Sequence, residues 1–409
     1  MIGLIQSRQC SLGAPYRLNA PLSCPTLAAH LIAAGMETHV LDLDGLGVNE
    51  NFILDGLDDY DAIGISALSS QAEGARRLIK LIRAHVPEMY VVCGGVDPSL
   101  FPQRYLDWGA DCVVTGEAEG NVAEVFATRP TGIVPGTPGN IDLRPAWEVT
   151  LPKPWQYPGH QHPLALPEAM VMTTRGCPHK CTFCGNIFNG QRTRTRSLDS
   201  VAEEFDYLAA NGVKGIFLYD DELLDKNLIQ FAHRTILLSN RRFLFRAQGR
   251  CNFPLTTESV DGLAALADEG LRRVMWGIES FSQPVLDAIH KDITVDDIEN
   301  TLWASRNAGL ENFAFLMAGL PGETPELADV TYRALKVHLE NGSIQKVQIT
   351  PCTPMPGTEL YDQAKTEGWL WVGDDYQYAV QGATPWMSQG LLAEHIYRMR
   401  ELAANYGAL

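Results

Sequence analysis

Short apolar runs alternate with longer segments of helical periodicity in the first third of this chain. Five of the runs predict strands, because they are brief, apolar and bounded by turn residues. They cover residues 1–6, 38–43, 62–66, 89–93 and 112–115. Strands that alternate with helices predict right-handed crossovers. Residues 1–128 are therefore predicted to form a doubly wound parallel sheet of the Rossmann-like α/β type.

The alternation of predicted strands and helices stops at residue 129 and resumes at residue 169. Residues 129–168 are rich in Pro and Gly and have little periodicity, which predicts a linker between domains. Six strand and helix units then follow in residues 169–351. Their strands are predicted at residues 169–173, 215–219, 243–247, 273–277, 312–317 and 346–350. Six parallel units predict a partial (β/α)6 barrel, and residues 352–409 are predicted to form a small C-terminal extension.

Composition narrows the class of protein. The chain has 409 residues, of which 45% are hydrophobic and 20% charged, as in ordinary globular proteins with two or three domains. The net charge of −17 argues against a nucleic-acid partner. The sequence holds no apolar run long enough for a membrane span, and its N-terminal residues suit a strand better than a signal peptide. A cytoplasmic protein is expected.

Three of the nine cysteines are concentrated in one short stretch directly after the predicted strand 169–173. Cys177, Cys181 and Cys184 have the spacing C-x3-C-x2-C, and three such thiolates can hold three irons of a [4Fe-4S] cluster while the fourth iron stays open. A structural zinc site would need a fourth ligand. His179 has poor reach to the same ion because it lies inside the first spacer, so the cluster is favoured. The six scattered cysteines are expected to be reduced and mostly buried.

This run, with Phe183 just before the third cysteine, resembles the signature of radical S-adenosylmethionine (SAM) enzymes. The resemblance implies that the open iron binds the amino and carboxylate groups of SAM. It implies that an electron from the cluster cleaves SAM to methionine and a 5′-deoxyadenosyl radical. It further implies an electron donor such as flavodoxin or ferredoxin.

Residues at the other predicted strand ends fit the same family. The positions for which the resemblance implies contact with SAM are Phe183, Asp220, Asp221, Glu222, Arg250, Glu279, Ser280, Gly319 and Gly322. Arg250 is suited to a forked contact with a carboxylate. Two alternatives stay open. The acidic residues 220–222 also suit a helix N-terminus, and Arg250 and Glu279 also suit a structural ion pair.

The loops after the early strands resemble those of the cobalamin-binding domain found in one large branch of this family. The resemblance implies a cobalamin site at Ser66, Ser69, Gly94, Gly95, Asp97, Gly116, Glu117 and Glu119. Asp97 stands where many relatives have histidine, and the sequence lacks an Asp-x-His-x-x-Gly run, so it offers no lower axial cobalt ligand of that kind. The alternative is a domain that is structural and binds no cobalamin.

The resemblance implies an enzyme that generates a carbon radical and, with cobalamin, methylates an unactivated carbon of a small-molecule or peptide substrate. The alternative function is a radical SAM cyclase, or an enzyme of rearrangement, epimerisation or dehydrogenation, with an empty first domain. Nothing in the sequence identifies the substrate.

Overall fold

A computed structural model of the chain describes residues 1–9, 19–159, 162–185, 192–221, 229–252, 257–370 and 386–409. The chain divides into two compact units. One unit comprises Met1–Met170, Asp199–Val213 and Gly373–Gln377, and the other comprises Val171–Leu198, Lys214–Val372 and Tyr378–Leu409. The predicted domain boundaries at residues 128, 168 and 351 stay predictions.

The first unit is built on a seven-stranded parallel sheet. Its strands are β1 (Ile2–Gln6), β2 (Thr38–Asp42), β3 (Ala62–Ser66), β4 (Tyr90–Gly94), β5 (Cys112–Thr115), β6 (Gly132–Pro135) and β7 (Thr150–Leu151). Its helices are α1 (Ser23–Ala33), α2 (Leu43–Leu46), α3 (Ala72–His85), α4 (Val96–Leu100), α5 (Pro102–Trp108) and α6 (Val122–Thr128). The strand order is β6-β5-β4-β3-β1-β2-β7. The order reverses between β1 and β3, so a crevice is expected at the carboxyl ends of these two strands.

The alternation of side chains along these strands explains why helices cover both faces of the sheet. Val91 and Cys93 of β4 lie in the apolar core with α3, whereas Tyr90 and Val92 lie in the core with α1 and α6. Successive strand residues point to opposite faces, and all of these residues are apolar. The doubly wound sheet predicted from the sequence is therefore confirmed.

The stretch predicted to be a linker contributes β6 and β7, which are the two edge strands of the sheet. β6 pairs with β5, and β7 pairs with β2. The sequence pattern missed both because they are very short and β6 is bounded by Gly132 and Pro135. Edge strands tolerate such residues, since only one side of the strand needs ladder hydrogen bonds.

The second sheet is the curled half-barrel that the six later units predicted. Its strands are β8 (Glu168–Val171), β11 (Gly215–Leu218), β12 (Leu244–Arg250), β13 (Leu271–Glu279), β14 (Glu311–Ala318) and β15 (Lys346–Pro351), and they lie in chain order across the sheet. A separate ribbon pairs β9 (Thr174–Arg175) with β10 (Arg194–Thr195). The remaining helices are α7 (Leu198–Ala210), α8 (Ile229–Leu237), α9 (Thr257–Asp268), α10 (Gln283–Ala288), α11 (Val295–Asn307), α12 (Pro325–Glu340), α13 (Glu359–Thr366) and α14 (Gln389–Asn405).

Two of these strands run further than the sequence pattern indicated. β12 continues through Arg250 because Gln248, Gly249 and Arg250 pair with β13. β13 in turn ends at Glu279, after an irregular register against β14. The predicted site residues Arg250 and Glu279 thus belong to strand ends and are held by sheet pairing. Among the described helices, none combines the length and the apolar character needed to cross a membrane.

Candidate functional site

The loop with the three cysteines begins just beyond the carboxyl end of β8. The β9–β10 ribbon joins the two ends of the segment, with Thr174 opposite Thr195 and Arg175 opposite Arg194. Cys177, Cys181 and Cys184 are all half-buried. The three thiols thus lie on one loop at a strand end, as the sequence predicted. Within the described residues, no group of three or more His, Cys, Asp or Glu side chains is close enough together to hold a single metal ion.

Asp220, directly after β11, holds the start of this loop. Its buried carboxylate accepts hydrogen bonds from the backbone N–H groups of Thr173, at 2.6 Å, and Thr174, and also from both threonine hydroxyls. Burial raises the pKa of Asp220 to about 7, and the hydrogen bonds from Thr174 and Thr173 oppose that rise. The Asp221 carboxylate accepts from the Gly176 N–H at 2.7 Å.

These contacts indicate a structural role for Asp220 and Asp221 that the sequence did not predict. Asp220 and Asp221 bind the backbone immediately before Cys177, so in this structure they orient the cysteine loop. Their predicted contact with SAM has no support from this geometry. The alternative of a helix N-terminus stays a prediction, because residues 222–228 lie outside the described residues. Glu222 lies outside the described residues.

Arg250 lies against the second cysteine. Its Nη1 is 3.6 Å from the Cys181 Sγ, which is within hydrogen-bond reach for sulfur. The side chain is 7% exposed, and its Nε and Nη2 atoms are buried without a hydrogen-bond partner in the part of the chain that the structure describes. Buried N–H groups of this kind are costly unless an acceptor is supplied. Three thiols and an arginine with unused donors fit a [4Fe-4S] cluster with a carboxylate ligand beside it.

Glu279 is paired with Lys291, a residue that the sequence analysis did not single out. The Lys291 Nζ lies 2.9 Å from the Glu279 Oε1, and both side chains are buried. Glu279 also has a φ of 66°, which a residue other than glycine seldom adopts. The structure thus replaces the ion pair suggested between Glu279 and Arg250 by one between Glu279 and Lys291. Residue spacing gave no signal for it, because Lys291 follows α10 in a loop.

Phe183 packs on an apolar cluster formed by Val285, Ile289, Leu320, Cys352 and Leu360. Leu320 belongs to the turn after β14, in which Gly319 and Gly322 both have positive φ. The Gly319 N–H donates to the carboxylate of Glu323 at 2.5 Å. The structure therefore brings Phe183 and the glycine turn together, as an adenine site between them would require.

The Ser280 hydroxyl makes its hydrogen bonds within the protein. It lies 2.9 Å from the Thr331 hydroxyl and accepts from the Ser282 N–H at 3.1 Å. Both contacts are made within the protein, so the predicted contact of Ser280 with SAM has no support in this geometry.

The predicted cobalamin loops lie together at the carboxyl edge of the first sheet. At the reversal of strand order, the Ser66 hydroxyl lies 3.3 Å from that of Ser23, which donates to Gln6. The buried Ser69 hydroxyl has no hydrogen-bond partner within the described residues.

The glycine-rich loops are shaped by close approach of backbone. Gly94 ends β4, and Gly95 follows it. A Cβ on Gly95 would lie 2.8 Å from the Ala67 carbonyl oxygen, so the loops after β3 and β4 pack too tightly for a side chain at Gly95. Gly116 faces open space and has a φ of +81°. Its N–H donates to the Ser99 hydroxyl at 2.8 Å. Glu117 and Glu119 lie half-buried in the same loop. The Ser69 hydroxyl, in the loop after β3 and unpartnered in the described part of the chain, fits a bound ligand.

Asp97 departs from this arrangement. Its fully buried carboxylate accepts from the Tyr105 hydroxyl at 2.8 Å and from the Arg104 Nη1 at 3.2 Å. Both partners belong to α5, so the carboxylate points into the protein core. The predicted contact between Asp97 and cobalamin therefore has no support in the structure.

Comparison with known proteins identifies the same two parts of the chain. Residues 171–335 match the model of the radical SAM superfamily, and residues 15–126 match that of the B12 binding domain. An uncharacterized methyltransferase of Pyrococcus horikoshii is 28% identical in an alignment 368 residues long, which covers 83% of this chain and 78% of the relative. The anaerobic magnesium-protoporphyrin IX monomethyl ester cyclase of Rubrivivax gelatinosus is 22% identical. The alignment covers 86% of this chain and 67% of the cyclase.

Among solved structures, the radical SAM methyltransferase TsrM from Kitasatospora setae, with cobalamin and a [4Fe-4S] cluster bound, superposes with a TM-score of 0.72. The comparison covers 98% of this chain and 90% of TsrM at 18% identity, so it shows the fold. The chain is a radical SAM enzyme. Within that superfamily it belongs to the cobalamin-dependent branch, whose members carry a B12 binding domain as well. The cofactors of this branch are a [4Fe-4S] cluster, SAM and cobalamin.

Proposed function

We propose that this enzyme cleaves SAM reductively at a cluster on Cys177, Cys181 and Cys184 and, with cobalamin, methylates an unactivated carbon of a small-molecule or peptide substrate. The contact between Arg250 and Cys181 is the observation that carries the radical core, because it joins a buried, partly unused guanidinium to a cluster ligand. The matched B12 binding domain and the methyltransferase named among the relatives support the methyl transfer.

In this proposal the cluster would supply the electron that cleaves SAM, and cobalamin would carry the methyl group. The protein's own residues position these groups. Asp220 and Asp221 hold the backbone that leads into Cys177. Arg250 contacts Cys181, and its Nε and Nη2 atoms would donate to the SAM carboxylate. Phe183 and the turn between Gly319 and Gly322 provide an apolar surface for adenine.

A spectroscopic experiment tests the proposal. The protein is purified without oxygen from cells given iron and cobalamin, and its absorption, iron and cobalt are measured together. Stoichiometric cobalt with iron–sulfur absorption, followed by release of 5′-deoxyadenosine from SAM, is the expected result. Cobalt that stays absent while SAM is cleaved would favour the second function, a radical SAM cyclase or rearrangement enzyme with a structural first domain. The observation that supports ring formation as the second candidate reaction is the cyclase among the relatives.

Replacing Arg250 by Gln is expected to weaken SAM binding about 10- to 100-fold, because a hydrogen bond to a charged group contributes about 1.5–3 kcal/mol. Iron content should stay at the wild-type level, because the three thiols are unchanged. Anaerobic equilibrium binding of SAM measures the effect, and the exposed Arg272→Gln is the matched control. Loss of iron in the Arg250 variant would assign this residue to cluster retention instead.

Replacing Ser69 by Ala tests the cobalamin site. The buried hydroxyl has no hydrogen-bond partner among the described residues, so its removal should leave the free energy of unfolding nearly unchanged. If it binds cobalamin, affinity for hydroxocobalamin should fall by about tenfold, the loss expected for one hydrogen bond. Ser239→Ala is the control, since this buried hydroxyl is likewise without a partner in the described part and lies in the other unit. Equal cobalamin affinity in both variants would contradict the assignment of Ser69.

A further inference from the structure

Lys291 is a buried cation tied to the cysteine loop. Lysine is almost never fully buried unless it is paired, and here the side chain is 8% exposed and its Nζ is bonded to Glu279. The segment that carries it is bonded to the loop, since the Thr182 N–H donates to the Ile289 carbonyl at 3.0 Å. The Lys291 Nζ also lies 5.9 Å from the centre of the Phe183 ring. Thr182 and Phe183 both lie between two cluster cysteines, Cys181 and Cys184.

The charge of Lys291 is maintained by its neighbours. Burial by itself lowers the pKa of the ammonium group, but the negative charges of Glu279 and Cys181 outweigh that effect. The net result is a pKa above the ordinary value for lysine, although Arg250 acts in the opposite direction. The ion pair with Glu279 keeps this group positively charged, and its Nζ faces the ring of Phe183, which lies between Cys181 and Cys184 in the chain.

We propose that Lys291 is a positioning residue for the cluster, which holds a second buried positive charge, beside that of Arg250, at the Cys181 corner and makes the cluster easier to reduce. Glu279 fixes the position of this charge. The proposal rests on the cluster of the proposed function and is independent of methyl transfer.

The physical basis is the electrostatics of a one-electron reduction. An external donor adds one electron to the cluster, so the negative charge at the cysteine corner grows by one unit. A buried cation stabilises the reduced form more than the oxidised form, and its effect is strong because little solvent screens it. Net charge and hydrogen bonds to the sulfurs are known determinants of cluster potentials. Removal of the cation must therefore make reduction harder.

The test is a redox titration of Lys291→Gln, monitored by electron paramagnetic resonance, without SAM and with dithionite as the reductant. Glutamine removes the charge but still donates a hydrogen bond to Glu279. The equilibrium constant for reduction is expected to fall about tenfold, which for a one-electron couple is about 59 mV. Lys291→Arg should keep the wild-type potential. Lys336→Gln, on the exposed face of α12, makes the same charge change away from the site and should also keep it.

Glu279→Gln provides a second test with the opposite sign. It removes the negative charge beside Lys291, so the cluster should become easier to reduce, even where the lysine variant fails to fold or to retain iron. Unchanged potentials in both variants, or a shift of the same sign in both, would overturn the proposal while leaving the radical SAM assignment intact. A wild-type protein that takes up no iron would instead overturn the proposed function.

Discussion

Replacement of any one of Cys177, Cys181 and Cys184 by Ala is expected to abolish both the iron–sulfur absorption and the cleavage of SAM. Each thiolate would bind a different iron, so a remaining pair leaves the cluster without one corner and the protein without the group that would pass an electron to SAM. Iron content, absorption and 5′-deoxyadenosine release should fall together to the background of each assay. This is the largest effect expected from a single substitution in the chain.

The matched control is Cys93→Ala, which removes a buried thiol from β4 in the other unit. This variant should keep its cluster and its SAM cleavage, with at most a moderate loss of stability from the small cavity. Sustained SAM cleavage by any of the three loop variants would refute the cluster assignment. Equal loss in Cys93→Ala would show that cysteine replacement acts through folding.

Asp220→Ala is expected to produce the second largest effect. The native carboxylate accepts hydrogen bonds from two backbone N–H groups and two hydroxyls at the start of the cysteine loop. Alanine removes both acceptor oxygens, so the two buried backbone N–H groups and the two hydroxyls lose their acceptor. Leaving buried donors unsatisfied costs about 1–3 kcal/mol each. The variant should therefore be destabilised, and it should retain less iron because the loop start is no longer fixed.

The same residue predicts a pH dependence. Burial raises the pKa of Asp220 from 3.8 to about 7, so the native protein holds a proton that the unfolded chain releases. Stability from this group is complete below about pH 4 and is lost as pH rises through about 7. Denaturant unfolding of the wild-type protein and Asp220→Ala, measured at several pH values, should show the advantage of the wild type shrinking over this range.

Asp268→Ala, at an exposed acidic residue at the end of α9, is the control for both measurements. It should change neither iron content nor the pH dependence. An advantage of the wild type that grows as pH rises would mean that the hydrogen bonds outweigh burial and that Asp220 folds in its charged form.

The sequence alone determined those features that depend on neighbours along the chain. The cysteine loop is one, because its three ligands lie within eight consecutive residues and follow an apolar strand. Strands β3 and β5 are others, since their apolar runs are bounded by clear turn residues and the structure has the predicted limits. The family followed from this local pattern, and so did the parallel architecture of both sheets.

Tertiary structure decided how the charged residues are used. Asp220 and its threonine partners are 46 and 47 residues apart in the chain, so no local pattern could indicate that a strand-end aspartate holds the cysteine loop. Asp97 shows the same limit, because its position after β4 resembles a ligand site while its carboxylate turns into the core toward Tyr105. Lys291 lies in a loop whose sequence gives no local signal that the lysine is buried. Its proposed role rests on burial beside Glu279 and Phe183, and burial depends on how distant segments pack.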